Sequence, residues 1–197
     1  MLNSARITCD FLGLQPDDTA LLCMPLDYIA GKMVVVRSLE RRMHLLSVTP
    51  SGHPLSDASL SQLAVPDEEI TFAAMVPLQV YNSLQVPEEH ERLRRIRHLI
   101  IGGGAIDERL AEALHDFPHA VWSTYGMTET LSHIALRRLN GPDASDWYRP
   151  FDGVKTRLNS DGCLVIDAPA VCPGTLVTND RAELRSYGRQ DNATASC

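Results

Sequence analysis

The sequence predicts an α/β fold, a mostly parallel sheet with flanking helices followed by a smaller antiparallel β-unit. Three observations predict it. Short aliphatic runs alternate with amphipathic segments over residues 1–125, the pattern of βα repeats. Residues 98–125 make a complete strand–helix–strand unit, which as a parallel crossover is right-handed. Beyond residue 133 the helical period disappears, and Asn159-Ser160-Asp161-Gly162 joins two short strand-like runs as a hairpin turn.

Each element has a local cause. Residues 2–12 read as a helix closed by Gly13, with a Pro16-Asp17-Asp18 turn behind it. Residues 19–23 form a short buried strand. Residues 30–42 are helical, Met33, Val36 and Met43 falling at helical spacing with Arg37, Glu40 and Arg41 between them. Residues 44–48 return as a strand before a Pro/Gly/Ser loop over 50–56. Residues 70–75 are the next strand, and Pro77 and Pro87 each open a helix, where a missing N–H costs nothing. The second of these helices has Glu88 and Glu89 at its start and Arg94, Arg95 and Arg97 near its end, which suits the helix dipole. It permits Glu88–Arg92 and Glu91–Arg95 pairs and reads as a solvated face. Residues 98–101 are a buried strand, Gly102-Gly103-Gly104 a turn, and Asp107 an N-cap for a helix with Leu110, Leu114 and Phe117 inward. Residues 120–124 follow as a strand. Residues 134–139, 153–158 and 163–167 read as strands of the second unit. The expected division is an α/β subdomain over 1–132, a β-rich subdomain over 133–187 and a hinge-like or disordered tail over 188–197.

Composition narrows the function. The 197 residues are 44% hydrophobic with a net charge of -7, which argues against a broad basic surface for nucleic acid. No apolar run approaches the roughly 20 residues a bilayer requires, and residues 1–10 lack the apolar core of a signal peptide. Five cysteines without a C-x-x-C pair do not suit a disulfide framework or a zinc ribbon, and a reducing cytoplasm is the simplest compartment. His115 and His119 bracket Pro118, which breaks the helical spacing that two metal ligands need.

Three stretches carry candidate chemistry. Gly102-Gly103-Gly104-Ala105-Ile106 ends a strand, where ligands of α/β sheets bind and glycines let a ring or phosphate approach the backbone. It is neither a dinucleotide fingerprint nor a P-loop, and a plain tight turn explains it equally well. Ser123-Thr124-Tyr125-Gly126-Met127-Thr128-Glu129-Thr130 ends the next strand. It places a ring, a glycine, hydroxyls and a carboxylate where they can stack on a base, bond a phosphate and hold Mg²⁺. Leu176-Val177-Thr178-Asn179-Asp180 ends in a carboxylate able to accept two ribose hydroxyls, although an exposed turn aspartate explains it alone.

In this order the three motifs resemble the ATP site of the acyl-adenylate-forming ligases, the AMP-binding or acyl-CoA synthetase superfamily. The segment Met24-Pro25-Leu26-Asp27-Tyr28-Ile29-Ala30-Gly31 through Arg37 is similar to the acyl-pocket segment of the o-succinylbenzoate–CoA ligases of menaquinone biosynthesis, and Val76-Pro77-Leu78-Gln79 to their next helix. The likeness covers residues 1 to about 180. It implies the large N-terminal domain of such an enzyme and a two-step reaction. A carboxylate, o-succinylbenzoate by the closer likeness, attacks the ATP α-phosphorus to give acyl-AMP, and coenzyme A then displaces AMP. It further implies that Gly102, Gly103 and Gly104 wall the adenine slot, with Ser123, Thr124 and Gly126 beside them and Tyr125 stacking opposite. Thr128 would contact the α-phosphate, Glu129 hold Mg²⁺ and Asp180 bind the ribose. Arg37 would face a substrate carboxylate, with Tyr28, Ser132 and His133 lining the acyl pocket. An exposed helix arginine is the plainer account of Arg37, and a structural histidine that of His133.

The sequence departs from this pattern in two places. The 197 residues do not include the Ser/Thr/Gly-rich phosphate loop that relatives carry shortly before the segment matching Leu2, nor the lid domain, with its lysine, in which they end. Gly188-Arg189-Gln190-Asp191-Asn192 resembles their hinge, whose arginine touches ribose, but Ala193-Thr194-Ala195-Ser196-Cys197 does not continue it. A non-catalytic adenine-nucleotide module and a scaffold with a decayed site therefore stay open beside the ligase. A homo-oligomer stays open as well. The 197-residue chain by itself is expected neither to adenylate nor to thioesterify, and carboxylate-dependent pyrophosphate exchange by the purified chain would overturn that expectation.

Overall fold

The computed structural model describes residues 1–62, 69–186 and 193–196. Its centre is a seven-stranded sheet in the order β2-β1-β3-β4-β5-β6-β7. Strands β1 (Thr19–Leu22), β2 (His44–Ser47), β3 (Phe72–Met75), β4 (His98–Ile101) and β5 (Ala120–Gly126) are parallel. Strands β6 (His133–Arg138) and β7 (Arg149–Pro150) complete it antiparallel. Because successive residues of a strand face opposite sides, the sheet separates two cores. Ala20, Leu22, Phe72, Ala74 and Ile100 pack with helices α1 (Leu2–Leu12) and α2 (Ile29–Arg41). Leu21, Ala73, Met75, Leu99 and Ile101 pack with α3 (Pro77–Gln85), α4 (Pro87–Arg95) and α5 (Glu108–His115). The mixed α/β class predicted from the sequence is the class observed.

Local chemistry sets the element ends. Gly13, at φ 68°, closes α1 in the left-handed region. Asp107 accepts a hydrogen bond of 2.8 Å from the Leu110 N–H and starts α5. In the turn between β8 (Lys155–Leu158) and β9 (Cys163–Asp167), Asn159 Oδ1 accepts from Asp161 N and Cys163 N, and Gly162 takes φ 76°. With β10 (Leu176–Arg181) these strands form a separate antiparallel sheet.

One expectation is corrected and another is incomplete. Residues 133–138 do not open the β-rich unit. A chain that turns back within a few residues pairs antiparallel with the strand it left, so β6 extends the large sheet and the small one begins at Lys155. The α4 helix keeps a solvated face at Glu88, Glu91 and Arg95, but its charge is not all on that face. Glu89 is buried, with its carboxylate accepting from Ser56 Oγ at 2.6 Å, Ser83 Oγ at 2.8 Å and His53 Nδ1 at 2.9 Å. Arg92 donates to the Leu55 carbonyl. Together they fasten the loop over 51–57 to the sheet's second face. Within the expected tail, β12 (Ala193–Ser196) pairs with β11 (Glu183–Ser186), while Arg189 lies outside the described residues.

Burial pushes the Glu89 carboxyl up, but the bonds from Ser56, Ser83 and His53 outweigh it and hold it below its ordinary 4.5. A lowered carboxyl contributes stability that is present above the unfolded value and is lost as pH falls through the folded one. Glu89→Gln is therefore expected to lower stability most at pH 7, with the gap to the unaltered chain closing below about pH 4.5 in urea melts.

Candidate functional site

Strand order reverses between β1 and β3, since the chain runs outward from β1 to β2 and then crosses to β3 and onward. Open α/β sheets bind ligands outside the carboxyl ends of their strands at such a reversal. A cavity of about 280 Å³ lies there. Met24 follows β1 along its wall, Met75 and Val76 end β3, Gly102 and Gly103 follow β4, and Thr124 and Gly126 end β5.

The glycines act differently from one another. Gly103 is left-handed, at φ 76°. Gly102 is bare because a side chain there would run into Thr124 Oγ1. Gly104 lies against Pro77 and outside the cavity wall. Gly126 abuts the backbone of Ser132 and His133, so only a hydrogen fits. The loop from Gly126 to His133 is closed by Thr130, whose fully buried hydroxyl lies 3.0 Å from Met127 N and 2.7 Å from the Ser132 carbonyl. Thr130 was not a candidate from the sequence, where it read only as the end of a motif.

Arg37 is 2% exposed, which corrects the plainer account of it as a surface arginine. It reaches the cavity from α2. Its Nη2 donates to Ser132 Oγ at 2.9 Å and to Thr8 Oγ1 at 3.3 Å, and its guanidinium lies 6.0 Å from the Phe72 ring centroid. Among the described residues no carboxylate pairs with it, and its buried Nε has no acceptor. Burial lowers its pKa to about 10, so it stays a cation at neutral pH. His133, also buried, contacts Thr8 Oγ1 through Nε2 at 3.0 Å and Ser132 Oγ through Nδ1 at 3.3 Å. Burial and then the Arg37 charge push its pKa well below 6.5, so the ring is neutral. Thr8 was missed in the sequence, and a lone threonine inside a helix carries no signal that could have found it.

Period-two alternation along β5 turns Tyr125 away from the cavity that its neighbours Thr124 and Gly126 line. Tyr125 donates to Asp180 Oδ2 at 2.6 Å, joining the expected base-stacking ring to the expected ribose carboxylate across 55 residues. Asp180 is set by its own N–H donating to Thr178 Oγ1 at 3.1 Å. Ser123 bonds Tyr148 at 2.6 Å, behind the cavity. Thr128 lines the cavity mouth and Glu129 is exposed beside it. Tyr28 is 67% exposed and is not part of the cavity wall. Among the described residues no three acidic, histidine or cysteine side chains converge on a metal position. A divalent ion at Glu129 would then take its other ligands from phosphate and water, as Mg²⁺ commonly does.

Fold and cavity together define a small-molecule site of the open α/β kind. The chain belongs to the AMP-binding enzyme family, which matches residues 1–176. It is 26% identical over 185 residues to a 2-succinylbenzoate–CoA ligase of Bacillus cereus (strain AH820), covering 93% of this chain and 37% of that protein. Among solved structures, an acyl-CoA synthetase (AMP-forming)/AMP-acid ligase II-like protein from Dyadobacter fermentans superposes with TM-score 0.84 at 34% identity, over 98% of this chain and 52% of that one. The o-succinylbenzoate coenzyme A synthetase of Bacillus subtilis, in complex with ATP and magnesium ion, shares the fold with TM-score 0.66 at 22% identity, over 89% of this chain and 38% of that one. The chain thus spans little more than a third of the length of the curated relatives it matches. Among the described residues no helix is long and apolar enough to cross a membrane.

Gly126→Ala is expected to destabilise the fold by about 1–3 kcal/mol, the range for overpacking against atoms that cannot yield. Chemical denaturation checks it, and the backbone contact to His133 is the reason.

Proposed function

We propose that this chain is the acyl- and adenosine-binding part of an ATP-dependent acid–thiol ligase, which activates a carboxylate as acyl-AMP and passes it to coenzyme A. One observation carries the proposal: β5 presents an apolar cavity with a buried cation on one side and the Tyr125–Asp180 pair on the other. An acyl group in the first and an adenosine along the second meet at Thr128, where the mixed anhydride forms. Tyr125 stacks on the base and Asp180 accepts the ribose hydroxyls, while Gly102 and Gly103 follow β4 between that side and the cavity. Glu129 helps to hold Mg²⁺, which, when bound, neutralises charge on the phosphate oxygens. Little covalent work falls to the protein; fixed donors and alignment lower the barrier.

A carboxylate-bearing acyl tail is favoured because Arg37 is a buried cation with no acid partner among the described residues. The 2-succinylbenzoate–CoA ligase likeness supports an aromatic keto-diacid of that kind. Menaquinone biosynthesis is the corresponding pathway.

A ligand that binds only the folded state stabilises it by about 2.7 kcal/mol at a hundred times its dissociation constant. AMP is therefore expected to raise the melting temperature, and Asp180→Asn to remove most of that rise. An acyl-sulfamoyl adenosine carrying a second carboxylate is expected to exceed AMP, with Arg37→Gln erasing the excess and leaving the AMP response. Equal responses to AMP and to the acyl compound would favour a nucleotide module without acid chemistry, and no response to either would favour a scaffold.

A further inference from the structure

Thr8, Ser132 and His133 surround the Arg37 guanidinium, and the position of the single imidazole proton decides which way their two hydroxyls point. Thr8 Oγ1 has one hydrogen and two acceptors in reach, the Ser4 carbonyl at 3.1 Å and His133 Nε2 at 3.0 Å. Ser132 Oγ has one hydrogen and His133 Nδ1 at 3.3 Å. Arg37 Nη2 gives a hydrogen to each hydroxyl. A neutral imidazole carries its proton on one nitrogen only. Two complete arrangements follow. With the proton on Nε2, His133 donates to Thr8, Thr8 donates to Ser4 and Ser132 donates to Nδ1, so both hydroxyls and both ring nitrogens are paired within the protein. With the proton on Nδ1, His133 donates to Ser132, Thr8 donates to Nε2, and the Ser132 hydrogen has no acceptor unless something in the cavity supplies one. Ser132 and His133 both line that cavity.

We propose that this quartet is an anion-responsive relay, in which an acid seated on Arg37 draws the Ser132 hydroxyl toward itself and moves the neutral His133 from the Nε2–H to the Nδ1–H tautomer. The inference rests on the acid reading of the cavity. No net charge changes: one ring proton leaves Nε2 and one arrives at Nδ1 by exchange with solvent, while each hydroxyl keeps its own hydrogen and only turns. Thr8 and His133 are thereby positioning residues. Thr8 lies outside the cavity wall and His133 bonds both hydroxyls, so the two aim Arg37 and Ser132, and a neutral ring avoids a second cation beside the guanidinium. The small-molecule class is an organic carboxylate that brings two acceptor oxygens, one for Arg37 and one for Ser132.

The test is histidine-selective nitrogen NMR on the 197-residue chain, with His133 identified as the signal lost in His133→Gln, and with calorimetry run in parallel. The probes are 2-succinylbenzoate and its dimethyl ester. The expected result is an Nε2–H ring in the free protein and an Nδ1–H ring on saturation with the acid, but not with the ester. Thr8→Val is expected to weaken acid binding roughly tenfold, the effect of one unmade hydrogen bond in a buried site, while Thr8→Ser binds as the unaltered chain does. Calorimetric binding of the acid with an unchanged tautomer, or unchanged affinity in Thr8→Val, overturns the relay and leaves the acid reading intact. No binding of the acid to the unaltered chain overturns both.

Discussion

A buried cation with no anion paired to it among the described residues organises this molecule. Arg37 sits in the low-dielectric layer between the sheet and α1, where desolvation opposes its charge and the Thr8 and Ser132 hydroxyl oxygens receive its protons. The helices that bracket it are tied by Arg6–Glu40 at 2.6 Å and by Arg41–Asp10, which fix Thr8 opposite Arg37. Those pairs lie at the surface, so they set alignment more than stability. A protein interior tolerates such a group when a ligand completes it, and the apolar wall of the cavity on the same side of the sheet is shaped to admit one.

The parallel sheet does the rest of the positioning. Its order reversal opens a crevice at the carboxyl ends of β1, β3, β4 and β5, and side-chain absence lets Gly102 pack against Thr124 and Gly126 against the backbone of Ser132 and His133 at its wall. Alternation along β5 gives one strand two functions, with Thr124 and Gly126 serving the cavity and Tyr125 the opposite side. The antiparallel return of β6 then brings Ser132 and His133 back over the same cavity.

Much of this was legible in the residues. Asp107, the Asn159–Gly162 turn, the prolines at 77 and 87 and the inward Leu110 and Leu114 behave as their local chemistry dictates. The strand-end glycines and the Tyr-Gly-Met-Thr-Glu segment lie at the mouth of the sheet, as a βα repeat requires. Glu89 was not legible: its helix reads as charged throughout, and Ser56, Ser83 and His53, brought in from other segments, make a buried carboxylate tolerable. The sheet membership of β6 was hidden too, because short strands look alike whichever sheet receives them.

By itself, the sequence determined the order of elements, the turn types and the strand ends at which a ligand can sit, because these depend on period and on side chains a few residues apart. Tertiary structure alone decided which charges are buried and which hydroxyls meet them. Thr8 reaches Arg37 across 29 residues and His133 across 125, while Arg37 reaches Ser132 across 95. Desolvation is set by everything packed around a group, and no local pattern along the chain encodes it.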